Sequence, residues 1–267
     1  MSSAAIPKEK CRVYVKSVQG GVIRTLFETL KDIVHDSNLI FGSDGAKLAT
    51  MDAAKCSLVY LKLRAESFEE YMCNETTHVG LNMASMYKLV RMCGTHDTIV
   101  LYVLQDAPNE LGIRIENAEK NSRTDFTLKL LDVDDRNINM PDMEFDSVNT
   151  LPSAMFQRLC RDMLSLSNTM TITSKKASLT LSCEGDFASQ TTVIGETEDG
   201  LILESHHDSE ISSKYSLKYL TLFCKASSLC NTTTLFIKEN HPLIVMYNVA
   251  GLGELKFMLT PLLDDME

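Results

Sequence analysis

Two hydrophobic periodicities alternate along the chain, and their order runs through twice. Cys11–Val18 (CRVYVKSV) alternates apolar and polar residues, the mark of a half-buried strand. From Gly20 to Val34, residues Val22, Ile23, Leu26, Phe27, Leu30, Ile33 and Val34 fall on one helical face. Short strands are expected at Lys47–Thr50 and Cys56–Leu63. A second amphipathic helix follows at Asn82–Met92, striped by Met83, Met86, Leu89 and Val90. Strands resume at Thr98–Leu104, Leu111–Glu116 and Thr124–Leu131. The order then restarts with an extended Ser147–Leu151 and a helix at Ser153–Leu164 that presents Met155, Phe156, Leu159, Cys160 and Met163. Strands are expected at Thr169–Thr173, Ser178–Cys183, Thr191–Ile194 and Leu201–Leu203. A fourth helix, Ser216–Ser227, uses Leu217, Leu220, Phe223 and Cys224, and strands close the chain at Thr232–Ile237, Leu243–Val249 and Glu254–Leu259.

Each half therefore reads strand, helix, strands, helix, strands. The apolar pattern of VQGGVIRTLFETLKD also echoes LPSAMFQRLCRDMLS in the second half. Such duplication implies two similar α+β domains. Their expected limits are 12–130 and 148–267, after an N-terminal extension, 1–11, to which no function is assigned. The connector, 131–147, has no helical or strand period, and Pro141 interrupts either ladder. It is rich in aspartate, yet Val133, Ile138, Met140, Met143 and Phe145 are too much apolar surface for a bare linker. Val133, close to the preceding strand, is expected to pin the connector to its own domain.

Composition narrows the class. A hydrophobic content of 44% permits two cores, and no apolar run approaches the length of a membrane span. The start, MSSAAIPKEK, does not read as a signal peptide. Eight cysteines are scattered without CxxC pairs or histidines at zinc spacing, which fits reduced thiols.

The net charge of −10 argues against nucleic acid until its distribution is followed. Each helix carries two basic residues: Arg24 and Lys31, Lys88 and Arg91, Arg158 and Arg161, Lys218 and Lys225. Spacings of three or seven put each pair on one helix face. The four helical segments hold these eight basic residues against three acids (Glu28, Asp32, Asp162), leaving 18 basic against 33 acidic elsewhere. One such helix would be an ordinary wet face. Four biased alike within an acidic chain suggest a surface that holds phosphates without reading bases.

Catalytic chemistry is hard to find. There is no P-loop, GxGxxG, GxSxG or HExxH. The six histidines follow no ligand spacing, and His206-His207-Asp208 reads better as a solvated loop, because neighbours on a strand point to opposite faces. No catalytic residue, metal or cofactor is expected.

From about Arg12 onward the sequence resembles the sliding clamps of the proliferating cell nuclear antigen family. The resemblance is carried by Thr29-Leu30-Lys31-Asp32, Met51-Asp52 with Ser57-Leu58-Val59, Phe156-Gln157-Arg158-Leu159-Cys160-Arg161-Asp162, Leu217-Lys218-Tyr219-Leu220, Pro242-Leu243-Ile244-Val245, and Leu255-Lys256-Phe257 leading into Leu259-Thr260-Pro261. It implies a two-domain subunit of a head-to-tail homotrimer around double-stranded DNA, with helices lining a central hole and antiparallel sheets outside. The eight basic helix residues would face DNA.

The same resemblance implies a docking site for short peptides of DNA polymerase, clamp loader, nuclease and ligase. It would be formed here by Met51, Leu58, Ile138, Met140, Phe145, Pro242, Met258, Leu259, Pro261 and Leu263. Strand edges bearing Phe126 and Leu128 in one domain, and Phe187 and Val193 in the other, are expected to join subunits. Departures from the family pattern occur at Thr25, Lys55, Asn139 and Met258, which marks a divergent member of the kind a virus could encode. The expected place of action is the nucleus, or a viral replication compartment. Two rivals remain open here: a subunit of a heterotrimeric checkpoint-type clamp, which would not trimerise alone, and a DNA-processing enzyme, which would need metal-dependent turnover of DNA.

Overall fold

The computed structural model describes residues 6–52, 54–134, 138, 143–176, 178–197, 201–205 and 210–262. Among them the first half runs β1 (Cys11–Ser17), α1 (Gly20–Leu30), β2 (Asp36–Gly42), β3 (Gly45–Met51), β4 (Ser57–Arg64), β5 (Glu70–Cys73), β6 (Thr77–Asn82), α2 (Met83–Val90), β7 (Thr98–Leu104), β8 (Glu110–Asn117) and β9 (Ser122–Lys129). The second runs β10 (Ser147–Pro152), α3 (Ser153–Leu164), β11 (Thr169–Lys175), β12 (Ser178–Glu184), β13 (Ser189–Gly195), β14 (Ile202–Ser205), β15 (Ile211–Ser216), α4 (Leu217–Phe223), β16 (Thr232–Ile237), β17 (Leu243–Asn248) and β18 (Gly253–Leu259). Element for element, the second half repeats the first.

The chain packs as two units that exchange short segments. One comprises 1–49, 61–137 and 249–253, and the other 50–60, 138–248 and 254–267. Chain continuity therefore does not follow packing at Thr50–Tyr60 and at Val249–Gly253.

In the first unit an antiparallel sheet has the order β5-β1-β7-β8-β9, and a second holds β3, β2 and β6 in that order. Helices α1 and α2 lie against each other. The α1 stripe predicted from periodicity is the one buried: Ile23, Leu26, Phe27 and Leu30 turn inward to meet Val15, Leu39 and Leu101. Burying each such side chain is worth about 1.5–3 kcal/mol. Helix α2 begins where Asn82 caps it, its side-chain oxygen accepting from Ser85 N–H at 2.9 Å.

The second unit repeats the plan with sheet orders β13-β12-β11-β15 and β14-β10-β16-β17-β18. Helices α3 and α4 pair, burying Phe156, Leu159, Cys160, Met163, Leu217, Leu220 and Phe223. The Phe223 ring stacks on Phe257 of β18 at 4.6 Å between centroids.

Three helices are shorter than periodicity predicts: α2 spans only Met83–Val90, with Asn82 as its cap and Arg91 just beyond it. α1 stops at Leu30 and a turn follows, in which Ile33 and Val34 both donate to the Leu30 carbonyl, so Val34 is buried without being helical. α4 passes into a 3-10 turn at Cys224–Ser228, the Cys224 N–H being shared between the Leu220 and Leu222 carbonyls. Strands β2, β5, β6 and β15 occupy stretches where no strand is expected from the pattern. No helix among the described residues is long and apolar enough to cross a membrane.

Candidate nucleic-acid and partner surfaces

The basic helix residues divide into two kinds. On α1, Arg24 is half-buried and donates through Nη1 to the Cys93 carbonyl at 2.9 Å. Lys31 lies one residue beyond α1, pairs with Asp32 at 2.8 Å and sits 5.2 Å over the Tyr87 ring. Its hydrogen bond to Asp32 raises its pKa. The Tyr87 hydroxyl in turn donates to Glu28 at 3.0 Å. The positive charge on α1 is thus partly spent on neighbours. Lys88, Arg91, Arg158, Arg161 and Lys218 are exposed and have no ion-pair partner among the described residues. Lys225, also exposed, stands in the 3-10 turn after α4, so it does not continue the helical spacing from Lys218. The exposed cations without an ion-pair partner among the described residues, Lys88, Arg91, Arg158, Arg161 and Lys218, can neutralise phosphates at low cost, because no such pair is broken first.

The described peptide-binding candidates all fall in the second unit, which holds 50–60, 138–248 and 254–267. Met51 is 40% exposed at the end of β3, and Leu58 is half-buried on the solvent side of β4, where Ser57 and Val59 point inward. Ile138, Pro242 and Pro261 are half-buried. Phe145 packs on Phe236 at 5.0 Å, which fastens the end of the connector to β16. Asp146 reinforces this, its N–H donating to the Ile237 carbonyl and its carboxylate accepting from Glu239 N–H. Met140 and Leu263 lie outside the described residues.

Strand alternation separates the two β18 candidates. Met258 is 9% exposed on the outward side, whereas Leu259, at 1%, shares the inward face of Leu255 and Phe257. In this conformation Leu259 therefore supports the surface from beneath and does not line it. The physical reason is the period-two pleat, which puts residues 255, 257 and 259 on one side.

Both strands expected to join subunits are sheet edges: β9 ends the five-stranded sheet and β13 ends the four-stranded one. Phe126 and Leu128 on β9 are half-buried. Val193 on β13 is 65% exposed, and Phe187, in the turn before that strand, is 79% exposed. Apolar side chains so exposed at an unpaired strand invite a partner.

Sequence reading missed one group in the second unit. Asp52 and Tyr219, 167 residues apart, are hydrogen-bonded at 2.5 Å beside Met51. Both fall in segments that carry the family resemblance, but no periodicity relates positions so distant.

A repeated α+β unit with paired helices and antiparallel sheets defines a two-domain chain of the DNA-clamp type. Residues 13–138 match the family model described as Proliferating cell nuclear antigen, N-terminal domain, and residues 139–262 match that described as Proliferating cell nuclear antigen, C-terminal domain. The probable DNA polymerase sliding clamp 1 of Paramecium bursaria Chlorella virus 1 is 42% identical over 254 residues, covering 94% of this chain and 97% of that protein. The chain belongs to the proliferating cell nuclear antigen family.

Proposed function

We propose that this chain is a DNA sliding clamp: a homotrimeric ring around duplex DNA that acts as processivity factor for a DNA polymerase and as a docking platform for replication and repair proteins. Family membership supports the class, and the similar viral protein supports a virus-encoded clamp working at the site of DNA replication. The observation that carries the reading is that Lys88, Arg91, Arg158, Arg161 and Lys218, on or at the ends of α2, α3 and α4, are exposed and have no ion-pair partner among the described residues of an otherwise acidic chain. Such a surface suits sliding along phosphates and not sequence reading.

In this reading Lys88, Arg91, Arg158, Arg161, Lys218 and Lys225 contact phosphate, with Arg24 and Lys31 secondary. Met51, Leu58, Ile138, Met140, Phe145, Pro242, Met258, Pro261 and Leu263 receive peptides from the polymerase, clamp loader, nuclease and ligase. β9 and β13 join neighbouring subunits. The role is one of tethering, with no catalytic step, in the nucleus or a viral replication compartment.

Light scattering of the purified chain should give three times its 29.8 kDa mass. A loaded clamp should stay on closed circular DNA and run off once the circle is cut. Equal retention on cut and closed DNA would replace this reading with ordinary site binding, and a monomer would favour a heterotrimeric clamp.

A further inference from the structure

Asp52 organises the turn between β3 and β4. Its Oδ1 accepts from Ser57 N–H at 2.8 Å, and its own N–H donates to the Ser57 carbonyl at 2.9 Å. The Ala54 and Cys56 N–H groups also point at the carboxylate. Lys55 N–H donates to the Asp52 carbonyl while Lys55 takes a left-handed backbone, φ 57°. A non-glycine residue in that region costs energy and persists only where its surroundings hold it there.

The remaining carboxylate oxygen, Oδ2, accepts from the Tyr219 hydroxyl at 2.5 Å. Tyr219 is itself placed by α4, whose Leu217, Leu220 and Phe223 are buried, and its ring lies 6.4 Å from Phe223. On the other side of the turn, the Thr260 N–H and hydroxyl both donate to the Cys56 carbonyl, and Leu262 N–H donates to the Lys214 carbonyl. The turn is therefore held between α4 and the segment after β18, with Met51 just before it and Leu58 just after.

We propose that Tyr219 is a positioning residue for partner binding: its hydroxyl fixes the Asp52–Ser57 turn and thereby sets Met51 and Leu58 in place for an incoming peptide. This rests on the partner-surface reading above. Tyr219 need not touch the peptide. Its hydrogen bond is to a charged acceptor, stronger than a neutral pair, and reaches the turn from a helix that the core holds rigid. The bond to Asp52, more than burial, pushes the tyrosine pKa up to about 12.

The test uses the full chain and a synthetic peptide with one aliphatic and two aromatic anchors, titrated by calorimetry. Leu58→Ala tests the surface itself. Tyr219→Phe keeps the ring and deletes the hydroxyl, and should weaken peptide binding about tenfold, the loss expected for one charge-assisted hydrogen bond. Asp52→Ala should lose at least as much. Asp52→Asn can still accept from Ser57 N–H while its amide faces the Tyr219 oxygen, so it should retain affinity within about threefold. Amide exchange at Lys55 and Ser57 should quicken in Tyr219→Phe while β17 and β18 keep their protection, and the melting temperature should stay within a few degrees.

If wild type binds and Leu58→Ala weakens it, but Tyr219→Phe binds like wild type, the positioning role is overturned and the surface stands. Equal losses in Asp52→Asn and Asp52→Ala would also overturn it, since charge and not placement would then be at work. Absence of wild-type binding overturns both.

Discussion

Leu131 N–H donates to the Gly80 carbonyl at 2.9 Å, and a Cβ at position 80 would stand 2.0 Å from the Leu131 oxygen. The start of the connector thus lies along β6 only because residue 80 has no side chain. Asn38 adds a second tie, donating through Nδ2 to the Val133 carbonyl at 2.9 Å. Gly80→Ala must push Leu131 away and break these bonds, at a cost of about 1–3 kcal/mol. Urea denaturation should show the loss, and amide exchange should place it at Leu131.

Much of this architecture is legible in the sequence, and the reasons for the gaps are physical. Strong amphipathic stripes such as Ile23-Leu26-Phe27-Leu30 and Phe156-Leu159-Cys160-Met163 announce their helices, and all eight residues are buried. β15 (ISSKYS) offers only Ile211 and Tyr215 as buried residues, too few for periodicity to register. β5 has no buried residue at all, and β2 opens with Asp36-Ser37-Asn38. These strands exist because neighbours need their backbone groups, which composition does not reveal. The apolar character of Leu259 likewise could not say which face of β18 it occupies. The Tyr219–Asp52 bond depends wholly on tertiary placement.

The subunit edge is testable without disturbing either core. Phe187 is largely exposed beside β13, so Phe187→Asp leaves the isolated chain almost unchanged, within about 0.5 kcal/mol. At a subunit contact the same change would bury an unpaired charge. Light scattering across a dilution series should therefore show the oligomer dissociating at higher concentration than wild type, with an unaltered circular dichroism spectrum.

Arg158 and Arg161 are exposed on α3 and carry no ion-pair partner among the described residues, so their removal should leave the fold intact. The double variant Arg158→Ala, Arg161→Ala should bind short duplexes more weakly at every sequence. Its log–log salt slope should fall by about 0.9 for each phosphate that is no longer neutralised. Fluorescence anisotropy over a range of salt concentrations checks both, and an unchanged slope would remove α3 from the DNA surface.

Leu58 and Leu259 should respond oppositely to truncation. Leu58 is half-buried on the solvent side, so Leu58→Ala should cost about 1–2 kcal/mol of peptide binding and little stability. Leu259 lies inward with Leu255 and Phe257, so Leu259→Ala should cost about 2–5 kcal/mol of stability through the cavity it leaves. Parallel calorimetry and denaturant unfolding on the two variants separate a side chain that meets the peptide from one that supports the surface.

Asp52 links the turn's stability to pH, and the sign follows from its surroundings. Burial pushes the carboxyl pKa up, but the Tyr219 hydroxyl and the N–H groups of Ser57, Cys56 and Ala54 outweigh it and hold the pKa below its ordinary 3.8. A carboxylate with a depressed folded-state pKa stabilises the protein fully above the unfolded value. That contribution is lost as pH falls through the folded value, because protonation removes the charge those donors point at. Wild type should accordingly be more stable than Asp52→Asn at pH 7, with the difference constant down to the region of 3.8 and shrinking below it. Denaturant unfolding of both chains from pH 7 downward measures the difference directly. A gap that widened as pH fell would mean that Asp52 is held protonated, and the hydrogen-bond assignment of the turn would have to be reversed.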